Sequence, residues 1–423
     1  MYNSDQIDIS KYLLEFQLED SGGENLSLFG DKRRKTSVEY IKIGEFRVAR
    51  YINEYWTSGQ RQASPIHEVS YRACFKPQLP HFFINLLTKA GDTVYDPFSG
   101  RGTTVIEAGL LGRRVISNDI NPLSEVLSRP RFFIPELRDV EKRLYEIPYY
   151  KNLRADMDLS MFYHPETESE IVSLKNYLLD KKVSGREDHI DSWIRMVATN
   201  RLTGHSTGFF SVYTLPPNQA TTPERQIKIN EKRKQKPEYR DTRKIIMKKS
   251  QRLVADLTLK EKQNLRRAGE SALFLTADAR YTEQIPANSV QLTVTSPPFL
   301  NVVQYARDNW LRCWFNSIDA EEISNKITMA KSVKEWCAVM GDVFRELYRI
   351  TAKGGWVAFE VGEVKGGSVM LDEYVVPLGI SAGFECEGIL VNLQNFTKTS
   401  NIWGINNNTH GTNTNRVVLF KKH

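Results

Sequence analysis

A chain of 423 residues, 40% hydrophobic and 26% charged, is long enough for a sizeable buried core and for two or three domains. Its apolar runs fall short of the roughly 20 residues a membrane span needs, and no N-terminal signal pattern is visible, so no membrane association is expected. Four scattered cysteines without a Cys-x-x-Cys pair argue against a disulfide scaffold and fit reduced thiols in a cytoplasmic protein with no metal site.

In chain order, residues 1–60 read as an N-terminal extension, with loop or arm signals at Ser21-Gly22-Gly23 and Asp31-Lys32-Arg33-Arg34-Lys35. Lys76-Pro77 opens a short helix carrying Phe82, Phe83, Leu86 and Leu87, closed by Gly91. A β-favouring run, Thr93 to Tyr95, then ends in Asp96. The loop Pro97-Phe98-Ser99-Gly100-Arg101-Gly102-Thr103-Thr104 leads into a helix with Val105, Ile106, Ala108 and Leu110. A second apolar run ends in Asp119. Such a strand–Gly-loop–helix–strand unit brings backbone N–H groups close to a ligand, and its second acid is placed to accept from both ribose hydroxyls of a nucleoside-like cofactor. Val105 stands where a dinucleotide fingerprint needs its third glycine, and no Gly-Lys-Ser/Thr occurs, so neither that fingerprint nor a phosphate loop fits.

Residues 131–270 read as a mainly helical insert, with apolar stripes at Leu137/Val140/Leu144/Ile147, Ile171/Leu174/Leu178 and Ile190/Trp193/Ile194/Val197. Periodicity fails between Thr203 and Gln219, a run mixing Gly, Ser, Thr and aromatics. Basic helices follow. The net charge of +7 is concentrated here: Glu224 to Glu270 holds 16 Lys/Arg against 7 Asp/Glu, so the remainder is slightly acidic. Aromatics beside positive charge suit extrahelical bases and phosphates, which makes the insert a candidate target-recognition region with Lys232, Arg233, Lys234, Lys236, Arg243 and Lys244 as nucleic-acid contacts.

Strand signals return at Ala272–Thr276 before Asp278-Ala279, and at Val290–Val294 before Thr295-Ser296-Pro297-Pro298-Phe299. Ser332-Val-Lys-Glu335 opens a helix through Ile350, expected to stop at Gly354-Gly355. Trp356–Val361 and Val417–Phe420 read as buried strands around a mobile Asn/Thr-rich loop, Asn395 to Asn415. Strands alternating with helices argue for an α/β, mostly parallel sheet.

Asp-Pro-Phe-Ser-Gly-Arg-Gly-Thr-Thr with Ser-Pro-Pro-Phe at a later strand end resembles the N4-cytosine/N6-adenine DNA amino-methyltransferases. The resemblance spans roughly Arg72–Pro122 and Leu273–Lys422, and implies a Rossmann-like S-adenosylmethionine-dependent methyltransferase sheet with helices on both faces. The core would be split into 61–130 and 271–423 by the insert. By the resemblance, Asp96, Pro97, Phe98, Ser99, Gly100, Gly102, Thr103 and Thr104 line the cofactor and Asp119 holds its ribose. Asp278 and Ala279 lie by the adenine, and Lys76-Pro77 walls the methionine end. Ser296, Pro297, Pro298 and Phe299 would receive the exocyclic amine of a base flipped out of double-stranded DNA, with acceptors at Ser296 and the Pro297 carbonyl and Phe299 stacking on the base.

Serine at the head of the tetrapeptide resembles the cytosine-N4 branch, with adenine-N6 as the alternative. It also argues against related RNA amino-methyltransferases. A 5-position cytosine methyltransferase needs a nucleophilic Pro-Cys, which is missing. A catalytically inactive DNA-binding module would be expected to have lost parts of these motifs, yet both stand intact. No nuclease motif is evident, so a restriction–modification or phage-defence role implies a separate endonuclease partner.

Overall fold

The computed structural model describes residues 8–18, 35–56, 63–72, 74–216, 220–298, 308–327, 330, 332–364, 368–393 and 415–423. Phe299, most of the Asn/Thr-rich span and both N-terminal loop signals lie outside the described residues, apart from Lys35 and Asn415. Its strands are β1 (Ser37–Ile43), β2 (Phe46–Asn53), β3 (Thr93–Asp96), β4 (Arg114–Asn118), β5 (Leu273–Leu275), β6 (Val290–Thr295), β7 (Thr351–Val361), β8 (Glu363–Val364), β9 (Val369–Met370), β10 (Glu385–Asn392) and β11 (Asn415–Lys421). One nine-stranded sheet has the order β1-β2-β10-β11-β7-β6-β3-β4-β5, and β8 and β9 form a separate hairpin. The run β5-β4-β3-β6-β7 is parallel, and β11 is antiparallel to both β7 and β10.

The helices are α1 (Ile9–Glu15), α2 (Gln78–Leu87), α3 (Thr103–Leu110), α4 (Leu123–Ser128), α5 (Leu137–Glu146), α6 (Pro165–Val183), α7 (His189–Thr199), α8 (Pro223–Arg233), α9 (Thr242–Val254), α10 (Leu259–Ser271), α11 (Trp310–Phe315), α12 (Ala320–Lys326), α13 (Val333–Ile350) and α14 (Leu371–Ser381). Among the described residues no helix is long and apolar enough to cross a membrane. Strand alternation divides the core between the two faces of the sheet. Val94, Leu292, Val294 and Ala358 pack with α2, α3 and the insert. Tyr95, Val357 and Phe359 pack with α13 and α14. The insert has no core of its own: Leu144, Leu174, Trp193, Ile246 and Leu265 are continuous with the first of these clusters.

Two features differ from the sequence-based expectation. The helix opened by Ser332 ends at Ile350, and Gly354-Gly355 lie inside β7. Gly354 has φ +76°, and a Cβ on Gly355 would come 2.8 Å from the Ala352 carbonyl, so the glycines shape an irregular strand start rather than a helix stop. The N-terminal region is also more than an arm, because β1 and β2 form a hairpin about Gly44 and β2 runs parallel to β10.

Fully buried Asn392 fastens that hairpin, its Oδ1 accepting from the Tyr55 and Trp56 N–H groups at 2.7 and 3.2 Å while its Nδ2 donates to the Trp56 carbonyl. Asn392→Leu strands two buried N–H donors and should cost about 2–4 kcal/mol in a urea unfolding experiment. A change within 0.5 kcal/mol, the range of roughly neutral substitutions, would show the hairpin to be energetically independent of the sheet.

Candidate active site

The chain leaves β3 for β4 and β5 on one side and returns through β6 and β7 on the other. A crevice therefore opens beyond the carboxyl ends of β3 and β6, where open α/β sheets hold ligands. The pocket there is lined by the tips of four strands: Asp96 to Gly100 after β3, Asp119 to Asn121 after β4, Ala277 to Arg280 after β5, and Ser296 and Pro298 after β6. Trp336, Met340 and Val343 of α13 supply an apolar wall.

Asp96 is buried and Asp119 is half-buried. Asp96 accepts from the Thr295 hydroxyl at 2.6 Å and the Phe98 N–H at 3.1 Å. Asp119 accepts from the Gly100 N–H at 2.8 Å and the Asn121 N–H at 2.9 Å. Burial outweighs these donors and pushes Asp96 up to about 7 and Asp119 up to about 6. Among the described residues neither carboxylate is held in an ion pair. Two such carboxylates, beside the apolar faces of Phe98, Ile120 and Val343, fit a ligand with positive charge and hydroxyl donors at one end and a flat ring at the other.

The loop's geometry follows from its glycines. Gly100 and Gly102 have φ +53° and +77°, and a Cβ on Gly102 would come 2.6 Å from that of Ser128. Arg101 staples the preceding segment over the loop, donating to the Val69 and Phe75 carbonyls. Buried Asn118 joins its two banks: Nδ2 reaches the Pro97 and Ala277 carbonyls, and Oδ1 accepts from the Ala277 N–H. Behind α3, Glu107 is bound at 2.7 Å by both His67 and His81. Burial opposes its charge, but the two histidines hold its carboxyl down at about 2.

The Ser296 side lies next to this. Thr295 pairs with Phe359, so Glu360 of β7 stands beside Ser296, and its Oε1 accepts from Asn415 Nδ2 at 2.7 Å. Burial pushes the Glu360 carboxyl upward, and its polar neighbours Ser296 and Asn415 work against that. The Pro298 carbonyl is occupied by the Trp336 indole N–H at 3.0 Å, which leaves Ser296 as the acceptor of this segment that lines the pocket.

Several expected site residues serve elsewhere. Lys76 and Pro77 sit at the start of α2 and do not line the pocket; Tyr71, Cys74 and Phe75 do. Gly102, Thr104 and Pro297 are also outside the lining, Thr104 because its hydroxyl donates to the Val294 carbonyl. Asp278, Thr103 and Ala279 line the pocket as expected, Asp278 forked by Arg280 with a closest approach of 2.6 Å. Of the basic candidates, Lys232, Arg233, Lys234, Lys236 and Lys244 are exposed. Arg243 is structural, since it donates to the Leu144 and Ile147 carbonyls and stacks on Tyr149 at 3.8 Å. Sequence reasoning missed Glu360 and Asn118, yet a lone acid inside the apolar run Trp356–Val361 was a readable signal.

Residues 26–125 match the N6/N4 methyltransferase family model, described as DNA methylase. The chain is 27% identical over 318 residues to the type II methyltransferase M.BsoBI of Geobacillus stearothermophilus, covering 69% of this chain and 60% of that protein. It is 29% identical over 128 residues to the type II methyltransferase M.MvaI of Kocuria varians, covering 30% and 25%. A tRNA (guanine(10)-N2)-dimethyltransferase of Methanothermobacter thermautotrophicus is 37% identical over 76 residues, 18% of this chain and 22% of that one. The chain thus spans no more than about three-fifths of the curated relatives it matches. These matches support the DNA amino-methyltransferase family and S-adenosylmethionine as cofactor, without separating cytosine-N4 from adenine-N6.

A cationic cofactor favours ionised Asp96 and Asp119, so its affinity should fall as pH drops through about 7 and about 6. Calorimetric titration with S-adenosylmethionine should show roughly ten-fold tighter binding at pH 8 than at pH 5.5. Asp119→Asn should weaken binding at pH 8 and flatten this dependence, and an unchanged affinity would remove Asp119 from the cofactor site.

Proposed function

We propose that this member of the N4-cytosine/N6-adenine DNA amino-methyltransferase family methylates the exocyclic N4 amine of a cytosine turned out of duplex DNA. The observation that carries the reading is Ser296 at the pocket lip, a hydroxyl rather than a carboxylate, beside Glu360 of β7. A serine hydroxyl has one donor and two acceptor lone pairs. With its donor turned to Glu360, Ser296 would present only acceptors to the pocket, which suits an amine that must be held by its protons while its lone pair stays free.

When bound, S-adenosylmethionine supplies a methyl group already activated on a sulfonium, so no covalent enzyme intermediate is required. The chain's own part is positioning. Asp119 accepts from ribose hydroxyls, and Phe98 and Ile120 cover the pocket's apolar side. Ser296 holds the amine by one of its protons. The amine must shed one proton as the new C–N bond forms. Ser296 can take it while passing its own to Glu360, whose burial favours the protonated form. Adenine's N6 amine could use the same acceptors; serine rather than an acid at 296 is what favours cytosine.

The duplex itself would lie on the insert. Lys232, Lys234 and Lys236 cluster at the exposed carboxyl end of α8, with Lys244 on the next helix, and suit phosphate contacts, whereas Arg233 covers the Tyr213 ring. A base must leave the stack to reach a pocket at the strand tips. The type II relatives suit a restriction–modification role with the nuclease on another chain.

With labelled cofactor and duplex DNA, Ser296→Ala should lower turnover about 100-fold and Glu360→Gln by a similar order, while cofactor affinity stays within about three-fold. Unaltered turnover in both would remove the pair from the mechanism. Reversing the charges of Lys232, Lys234 and Lys236 together should weaken DNA binding most at low salt and lower the slope of log affinity against log salt by about 3. An unchanged slope would move the DNA off this surface.

A further inference from the structure

The insert segment after α7 was expected to offer aromatic rings to bases, and the structure spends those rings internally. Phe209 and Phe210 are buried. Phe209 lies against Gly204, where a Cβ would come 2.4 Å from the ring, and under the Arg201 guanidinium at 4.0 Å. The Tyr213 ring is covered by Arg233 at 3.8 Å. None of these three faces is free to stack on a base.

These contacts build a fixed loop with a polar tip. The Phe210 N–H donates to the Arg201 carbonyl at 2.8 Å and the Thr214 N–H to the Gly204 carbonyl at 3.0 Å, closing the loop's neck. Arg240 clamps the far end, its Nη1 donating to the Ser206 and Phe209 carbonyls at 2.8 and 3.0 Å. Three consecutive side chains at that end, His205, Ser206 and Thr207, are exposed. Burying Arg201 beneath a phenyl ring is an expensive way to hold a loop whose tip does nothing. A rigid tip bearing imidazole and hydroxyl groups has the donors and acceptors needed for base edges.

The loop's root is fixed beside the active pocket. Asn200 Nδ2 donates to the Ser70 carbonyl at 3.1 Å, and the next residue, Tyr71, lines the pocket against Gly100. On the other flank, Gln226 and Gln235 donate to the Tyr213 carbonyl and tie the loop to the helix that carries the exposed lysines. The tip therefore belongs to a unit held between the pocket that would take an extruded base and the surface suited to the phosphates.

We propose that this loop is the sequence-reading element, with His205, Ser206 and Thr207 contacting base edges in the duplex next to the extruded nucleotide. The inference rests on the DNA reading above and adds which residues set the target. Phosphate contacts position a protein on a duplex, and groups that reach base edges specify the sequence.

The test maps methylated positions in the genomic DNA of a host expressing the full chain, then measures kcat/KM on the mapped target and on duplexes with single base-pair changes. His205→Ala and the double variant Ser206→Ala/Thr207→Ala should keep cofactor affinity and melting temperature. Discrimination at one or two positions should fall by about ten-fold. Arg240→Met, which leaves the tip residues in place and loosens their support, should relax the same positions. An unchanged target and unchanged discrimination in all three variants would overturn the inference. A wild-type chain that methylates duplex DNA without sequence preference would overturn it too. Wild type that methylates no duplex DNA would instead overturn the DNA reading, and this inference with it.

Discussion

One buried and one half-buried carboxylate at the ends of neighbouring parallel strands, neither held in an ion pair among the described residues, set the terms for the rest of this structure. Removing a charge from water costs several kcal/mol unless donors replace the solvent. Asp96 receives the Thr295 hydroxyl and the Phe98 N–H, and Asp119 receives two backbone N–H groups from Gly100 and Asn121. Those donors exist only because the loop turns through left-handed glycines and because β6 lies directly beside β3. Even so, desolvation prevails and holds both groups above the usual carboxylate range, Asp96 the more strongly. A site in that condition favours a ligand that brings the missing positive charge.

The same strand order brings the second half of the chemistry within reach. Thr295, which donates to Asp96, is followed by Ser296, which stands beside Glu360 on the adjacent β7. The hydroxyl that holds the cofactor acid and the amine acceptor are thus consecutive residues at a single strand end. Moving β6 relative to β3 would disturb both at once. The clamps formed by Arg101, Asn118 and Glu107 resist such movement from the loop side.

Much of this was legible in the sequence because local chemistry carries it. The strand ending at Asp96, the glycine loop, the acid at Asp119 and the strand before Ser296 all stand where pattern and turn residues put them. What escaped depends on pairing between distant segments. Glu360 meets Ser296 only through the register of β6 on β7, and Asn118 acts by spanning two loops. The N-terminal hairpin was obscured because its outer strand is half exposed and mixes charge with apolar residues, although Gly44 marked its turn. Composition also overstated the basic segment. Arg243 and Arg240 bind backbone carbonyls, and Arg233 covers a tyrosine ring, so a count of positive residues exceeds the number free to meet phosphates.

The central claim is that the Ser296 site methylates an exocyclic amine of DNA. Its most direct measurement is to incubate the full chain with labelled S-adenosylmethionine and, separately, mixed-sequence duplex DNA and total RNA, digest each to nucleosides, and identify the labelled nucleoside by mass. The account predicts N4-methylcytosine from the DNA. N6-methyladenine would keep the amine chemistry and contradict the cytosine assignment, whereas 5-methylcytosine or label confined to RNA would contradict the account at its centre.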